Sequence, residues 1–358
     1  MSRLSNTLPF FALTTAGLEA ISAQELARLP QITSQTISYR RLSGTCQGDL
    51  ASLCSLRTVD DVFLELAIWR EIGRPRSSLE QLCHLAGALD LRPARAHLAR
   101  LRAIRRFPQF SLSVSFVGKR NYTSEEIKEV MAKALEQTHR GWLYQRDDRQ
   151  ADLNVRVFLE QDVATVGVRV SKTPLHDRWY QRVHLPGALK PSVAAALVML
   201  AQTTRTTTVL DPCCGSGTIL IEAALQKASA CGGDSNPTAV AAAQANVTAA
   251  GVTVPIFHWD ATSLPLANAS IDRVITNLPW GRQVSVDTAL PVLYRRLFTQ
   301  MRRVLAPAGR MVVLTHDPEL LDPLDLSCVE QFEISLFGQR PTILVFSSTS
   351  GKSIKGGQ

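Results

Sequence analysis

From residue 183 onward, short apolar runs recur with helical patterns between them: TTVL (207–210), ASACGGD (228–234), PIFHWD (255–260), DRVIT (272–276) and RMVVLT (310–315). Strands joined by helices must run parallel, because the crossover returns the chain to the end of the sheet it left. That pattern confines this half to a doubly wound α/β sheet. Two further runs, FEISLF (332–337) and TILVF (342–346), are separated only by GQRP. So short a link predicts an antiparallel hairpin. In an open α/β sheet, ligands bind at the carboxyl ends of the strands. The unusual residues of this half all fall at such ends.

The first strand runs into Asp211-Pro212-Cys213-Cys214-Gly215-Ser216-Gly217-Thr218, and ILIEAAL then starts a helix. Gly215 and Gly217 allow a tight turn close to a ligand. A dinucleotide loop needs a third glycine where this chain has Leu220, and a Walker loop needs a lysine that is absent. Asp211 would repel a pyrophosphate but suits a cationic ligand. The second strand ends at Asp234, where an acid typically grips ribose hydroxyls. Asn236-Pro237 opens the next helix. The third strand ends at Asp260-Ala261, in position to bond an adenine amino group. The fourth ends in TNLPWGR, residues 276–282, which places a small amide, a proline and a flat aromatic at the mouth of a buried strand. Each acid alone is equally well read as a helix cap. Three acids and Asn277 in register point to a site.

The first half reads differently. Leu18, Ile21, Glu25 and Leu29 share a helical face, with Leu26 beside it. VFLELAI (62–68) is a strand, GRPR (73–76) a break, and helical patterns run from Ser78 to about Arg106. FSLSVSF (110–116) alternates Phe110, Leu112, Val114 and Phe116 with three serines, which predicts a half-buried strand. Thr123 and Glu126 form a capping-box pattern, and strands follow near 153–159 and 163–170. The result is an α+β module. Residues 1–180 carry 25 Lys and Arg against 19 Asp and Glu; residues 181–358 carry 14 against 12. If the chain binds a polyanion, its footprint belongs on the first half. Lys119 and Arg120 sit in a turn that can reach phosphates. Arg92, Arg95, Arg100, Arg102, Arg105 and Arg106 crowd together with Asp90 as the nearby acid, and a solvated helix face explains them equally well.

The second half resembles S-adenosylmethionine-dependent methyltransferases of the amino-group class. Asp211 to Gly217 are similar to the first motif of that class, Asp234 to the second, Asp260 to the third and Asn277-Leu278-Pro279-Trp280 to the fourth. Leu278 departs from the usual Asn/Asp-Pro-Pro-aromatic form, and Asn-Leu-Pro-aromatic also resembles the motif of guanine-N2 RNA methyltransferases. HLPGALKPSVAAAL (184–197) is similar to the extra cofactor-flanking motif. The resemblance implies S-adenosylmethionine held by Leu189, Asp211, Pro212, Cys213, Gly215, Ser216, Gly217, Thr218, Asp234, Ser235, Asp260, Ala261 and Asn277. Asn277 and the Leu278 carbonyl would accept the two amino hydrogens of a base, aiming its nitrogen lone pair at the sulfonium methyl. Trp280 would stack on the base and Pro279 would stiffen the turn. No metal is implied.

PFFALTTAGLEAISAQEL (9–26) resembles the opening of RNA methyltransferases with a THUMP domain. Leu175-His176-x-Arg178-x-Tyr180-x-Arg182 stands where those proteins carry Leu-His-x-Arg-x-Tyr-Arg, with Gln181 intervening. The resemblance implies a ferredoxin-like domain over 1–70, a THUMP domain over 71–175, a linker over 176–182, a Rossmann-fold methyltransferase domain over 183–350 and a disordered tail over 351–358. It also implies RNA contacts at Lys119, Arg120, Lys172 and Arg178, with a tRNA anchored by its 3′ end and methylated in the acceptor stem. N2-methylguanosine at position six is the implied product. A 23S rRNA guanine, an adenine N6, a protein glutamine, or an RNA-binding role with a silent cofactor site are the alternatives.

Composition narrows the setting. The seven cysteines form no C-x-x-C pair, which argues against zinc knuckles and thioredoxin chemistry and fits a reducing cytosol. No apolar run reaches 18 residues, and the first 20 residues lack a signal-peptide core, so a cytoplasmic protein without a membrane span is expected. A monomer is expected, with the need for an activating subunit left open.

Overall fold

A computed structural model describes residues 7–48, 50–279, 290–322 and 325–348. The tail over 351–358 lies outside them. The chain divides into two units, the first comprising residues up to Thr14 with Ala23–Leu175, the second Thr15–Ser22 with the chain from His176.

The first unit carries strands β1 (Thr7–Leu13), β2 (Ile32–Ser38), β3 (Arg41–Gln47), β4 (Asp61–Trp69), β5 (Gln109–Phe116), β6 (Leu143–Tyr144), β7 (Leu153–Glu160) and β8 (Val163–Arg169). Its helices are α1 (Glu19–Leu26, begun in the second unit), α2 (Ser78–Gly87), α3 (Arg92–Leu98) and α4 (Ser124–Thr138). The strands form one sheet in the order β2-β3-β1-β4-β8-β7-β5-β6. The expected boundary at residue 70 therefore divides no two bodies. β4 pairs antiparallel with β8 from Phe63↔Arg169 to Trp69↔Ala164, and the sheet runs straight across the boundary. The capping box forms as expected: the Glu126 amide donates to Thr123 and the Thr123 amide to Glu126, fixing the start of α4. Ile127, Met131, Ala134 and Leu135 are buried beneath it.

Two expectations are corrected here. The helical stretch from Ser78 breaks after Gly87 and ends at Leu98, short of Arg106. Beyond it, Arg102 donates to the Asp152 carbonyl, and the exposed Arg105 bonds the Asp152 carboxylate, its Nε 2.7 Å from Oδ2. Tertiary bonds of this kind override helix propensity. β5 is also more enclosed than its serines suggested. Asn154 Nδ2 donates to Ser111 and Ser113 Oγ at 2.9 Å each, and Ser111 Oγ donates to Asp148 at 2.7 Å. Arg169 bridges Asp61 at 2.6 Å and Asp148 at 2.5 Å. Burial pushes Asp61 up to about 6 despite Arg169.

The second unit follows the α/β expectation. β9 (Thr208–Asp211), β10 (Ser229–Asp234), β11 (Ile256–His258), β12 (Ile271–Asn277), β13 (Leu305–Thr315), β14 (Leu326–Glu333) and β15 (Thr342–Ser348) lie in the order β11-β10-β9-β12-β13-β15-β14. The first five are parallel, and β15 pairs antiparallel with both β13 and β14. Helices α5 (Pro191–Leu200), α6 (Thr218–Leu225), α7 (Pro237–Ala250) and α8 (Leu290–Val304) complete it. Strand order reverses between β9 and β12, which sets the ligand crevice at their carboxyl ends. The hairpin forms, but β14 occupies 326–333 and not 332–337. Ile334 and Leu336 leave the ladder and are buried in the core with Leu18 and Ile21, while the Ser335 amide donates to the Ala16 carbonyl.

The expected linker over 176–182 is packed structure as well. Tyr180 is fully enclosed, its hydroxyl 2.6 Å from Glu222 of α6, and Arg178 Nε lies 3.3 Å from the same carboxylate.

Candidate active site

Each acid found in the sequence stands at the carboxyl end of a strand of the second unit, and their hydrogen bonds shape the crevice. Asp211 closes β9 and accepts from the Cys213 amide at 3.2 Å. Asp234 closes β10; one oxygen accepts from the Gly215 amide at 3.0 Å, the other from the Asn236 amide at 2.9 Å. The second strand end thus holds the loop of the first. Gly217 has φ +82°, a left-handed conformation, and a Cβ there would sit 3.2 Å from Ala243. It turns the chain into α6 and does not itself line the cavity. Asp260 accepts from the Thr262 amide and hydroxyl, both at 2.8 Å, capping a short turn with a carboxylate that stays exposed. Asn236 caps α7 through the Thr238 amide. The capping role and the position in the site coexist in these residues.

Two residues outside the sequence motifs hold the same loop, and a third holds the segment after β12. Trp259 Nε1 donates to the Pro212 carbonyl at 3.0 Å. The ring fits there because residue 233 is glycine: a Cβ would meet Trp259 at 2.7 Å. Asn246, buried in α7, donates to the Ser216 and Val183 carbonyls at 3.1 Å and accepts from the amides of Arg182 and Val183. Tyr294 of α8 donates to the Pro279 carbonyl at 3.1 Å. The sequence places Trp259 inside the expected strand 255–260, whereas β11 ends at His258. An asparagine and a tyrosine inside helical patterns carry no signal at all.

The crevice is a cavity of about 580 Å³, within the range of small-ligand sites. Its wall includes Leu185 to Leu189, the loop from Asp211 to Ser216, Thr218, Asp234, Ser235, Asp260, Ala261 and the segment Asn277-Leu278-Pro279. All the cofactor residues expected from sequence except Gly217 are thereby brought together. Trp280 lies outside the described residues. Leu278 is fully buried and its amide donates to the Leu314 carbonyl at 3.0 Å, which ties the end of β12 to β13. Asn277 lines the cavity, and its Oδ1 is buried with no hydrogen-bond partner among the described residues.

The electrostatics favour a cation. Burial pushes Asp211 up to about 7, and the charge of Asp234 adds to it. Burial likewise drives the Cys213 thiol well above its ordinary range, so it lines the site as a neutral group. S-adenosylmethionine fits this donor set. The carboxylates suit its positive charge and its ribose hydroxyls, the apolar stretch from Leu185 to Leu189 suits its adenine, and its volume suits the cavity.

The four expected RNA contacts separate. Lys119 is exposed in the turn after β5. Lys172 is exposed and bonds the Ala151 carbonyl. Arg120 spends its guanidinium on the carbonyls of Ile72, Gly73 and Gln161 and on the Tyr122 hydroxyl. Arg178 is buried against Glu222. These two arginines hold the fold, and the expectation of RNA contact is withdrawn for both. A different group stands open in the first unit: Arg92, Arg95, Arg106 and Arg140 line a cavity of about 550 Å³ with Phe107 and Trp142. Phe107 is 57% exposed, with the Arg106 guanidinium 5.4 Å from its ring centre.

Residues 178–335 match the family described as UPF0020: RMKL-like, methyltransferase domain. A tRNA (guanine(6)-N2)-methyltransferase of Thermus thermophilus is 31% identical over 208 residues, which are 57% of this chain and 61% of the relative. The mouse protein named tRNA (guanine(6)-N(2))-methyltransferase THUMP3 is 28% identical over 228 residues, 58% of this chain and 44% of the relative. The chain thus aligns with about half the length of these curated relatives. The crystal structure of TrmN from Thermus thermophilus superposes over 96% of this chain and all of that one, with a TM-score of 0.78 and 25% identity. In its strand order, its acids in register and this match, the second unit is similar to the RMKL-like methyltransferase domain.

Proposed function

We propose that the protein is an S-adenosylmethionine-dependent RNA methyltransferase that forms N2-methylguanosine in tRNA, at position six of the acceptor stem. The observation that carries this reading is Asn277, which lines the cavity and whose buried Oδ1 has no partner among the described residues. A buried acceptor left unpaired costs free energy, so its place is explained by a donor that arrives with the substrate. An exocyclic amine has two hydrogens, and the Leu278 carbonyl beside Asn277 supplies the second acceptor. Two fixed acceptors orient the nitrogen lone pair and favour the positive charge that develops on it.

The cofactor supplies an electrophilic methyl on a sulfonium. Transfer to the amine would form an N–C bond as the S–C bond breaks, leaving the electron pair on sulfur, and the nitrogen would then lose a proton to water. Asn277 and the Leu278 carbonyl would hold the amine, Leu278, Leu293 and Leu297 on the cavity wall would exclude water, and Asp211 would suit the cofactor's positive charge. The base must leave its stack to enter such a cavity. For the address on the RNA, the arginine cavity of the first unit combines guanidinium groups with an exposed aromatic ring, the pairing that suits phosphates and unstacked bases. The relatives named for guanosine six support this target, and THUMP-type anchoring of the 3′ end fits the first unit.

The test is methyl transfer from labelled cofactor to unmodified tRNA transcripts, with nucleosides identified by mass spectrometry. N2-methylguanosine at position six is expected from the wild type, and Asn277→Ala should lower turnover by about 100-fold or more. Labelled rRNA with unlabelled tRNA would overturn the substrate, and full activity of Asn277→Ala would overturn the site.

A further inference from the structure

The Asn277-Leu278-Pro279 segment is held at a second point besides the Leu278 amide. Tyr294 is fully buried, and its hydroxyl lies 3.1 Å from the Pro279 carbonyl oxygen and 3.1 Å from Thr315 Oγ1. Thr315 ends β13, is fully buried, and accepts at Oγ1 from the Asp317 amide at 3.1 Å. The donors can be assigned by counting hydrogens. A phenol has one, and a carbonyl has none to give, so the Tyr294 hydrogen goes to Pro279. The Thr315 hydroxyl must then donate to Tyr294. A single directed chain results: Asp317 amide to Thr315, Thr315 to Tyr294, Tyr294 to the Pro279 carbonyl. Burial pushes the phenol up to about 12, which keeps it a donor.

We infer that Tyr294, oriented by Thr315, is a positioning residue for methyl transfer: it ties down the Pro279 carbonyl and thereby holds Asn277 and the Leu278 carbonyl in the geometry that receives the amine. This inference rests on the proposed reaction. Tyr294 touches neither amine nor cofactor in this scheme; it acts through the backbone it grips. With the Pro279 oxygen occupied, Asn277 Oδ1 and the Leu278 oxygen remain as the acceptors of this segment. Small losses of alignment at a reacting centre are costly, and about 1 Å is enough for a 100-fold loss.

The test compares Tyr294→Phe, Thr315→Val and Thr315→Ser in the full chain. Turnover and KM on tRNA, cofactor affinity, melting temperature and hydrogen exchange of the peptide covering Leu278 are measured. Tyr294→Phe should lower kcat by about ten-fold or more, with cofactor affinity and KM within about two-fold. Thr315→Val should act in the same direction, Thr315→Ser should restore the wild-type rate, and Tyr294→Phe with Thr315→Val should lose little more than Tyr294→Phe alone. Exchange at Leu278 should quicken in Tyr294→Phe. An unchanged kcat, or a fall that tracks loss of cofactor affinity and melting temperature, would overturn the inference. If wild type methylates no RNA, or Asn277→Ala is fully active, the proposed reaction has failed instead. Exchange at Leu278 then decides the Tyr294 tie alone, and unchanged exchange would overturn it.

Discussion

Asp211 shows what one residue of this site costs and contributes. Its proton is held up to about 7, chiefly by burial and then by Asp234. An acid raised in the fold above its unfolded value destabilises the fold when ionised, so the cost is present above about pH 7 and is relieved as pH falls towards 4. A cationic ligand needs the ionised form. Cofactor affinity is therefore expected to rise between about pH 6 and 8, while the melting temperature of the cofactor-free protein falls over the same range. Calorimetry and a binding titration read both. Asp211→Asn should flatten the two curves, raise the melting temperature by about 2–4 °C for each kcal/mol relieved, and weaken the cofactor. The motif acids were legible because each follows an apolar strand with no intervening residue to explain. Trp259, Asn246 and Tyr294 were not, since their bonds go to backbone carbonyls between 15 and 63 residues away. Arg178 misled for the same reason. Sequence displays its charge, whereas Glu222, 44 positions on, is what fixes its role.

At the scale of elements, the segment over 176–182 changes from a connector into part of the second unit's wall. Arg178, Tyr180 and Glu222 are buried together, and Asn246 takes the amides of Arg182 and Val183. Removing one partner of a buried ion pair costs about 3–5 kcal/mol, because the other charge stays behind. Arg178→Ala should lower the melting temperature by on the order of 10 °C. It should leave the salt dependence of RNA binding by the remaining folded protein unaltered, which a binding titration would show and which separates a structural arginine from one that neutralises a phosphate. Strands rich in branched and aromatic residues, such as β5, β7, β8, β12 and β13, could be read from alternation or from apolar runs. β14 could not: Ser327, Glu330 and Gln331 carry too little apolar pattern, while Ile334 and Leu336 just beyond it are core residues that imitate a strand.

For the whole molecule, both halves of the chain carry a positive excess, and the larger one lies in residues 1–180. RNA affinity should fall steeply with salt. Replacing Arg92, Arg95, Arg106 and Arg140 by alanine should weaken RNA binding and lower the salt slope by about one for each phosphate left unneutralised, with cofactor affinity intact. An unchanged slope in that variant would remove the cavity from the RNA footprint. The domain plan was legible as two halves, and the strand-to-strand pairing that fuses residues 1–70 with 71–175 was not, because pairing partners such as β4 and β8 lie about a hundred residues apart. The placement of Thr15–Ser22 has a consequence for how such a chain can be divided. Leu18 and Ile21 complete the hydrophobic interior of the second unit, and Ala16 receives the Ser335 amide. One cut near residue 175 therefore releases a catalytic half with a slot in its core where its own early chain belongs. A ribosome that has finished the sheet of the second unit still depends on residues made earlier, so this module can be inherited, transplanted or expressed only together with a piece of what precedes it.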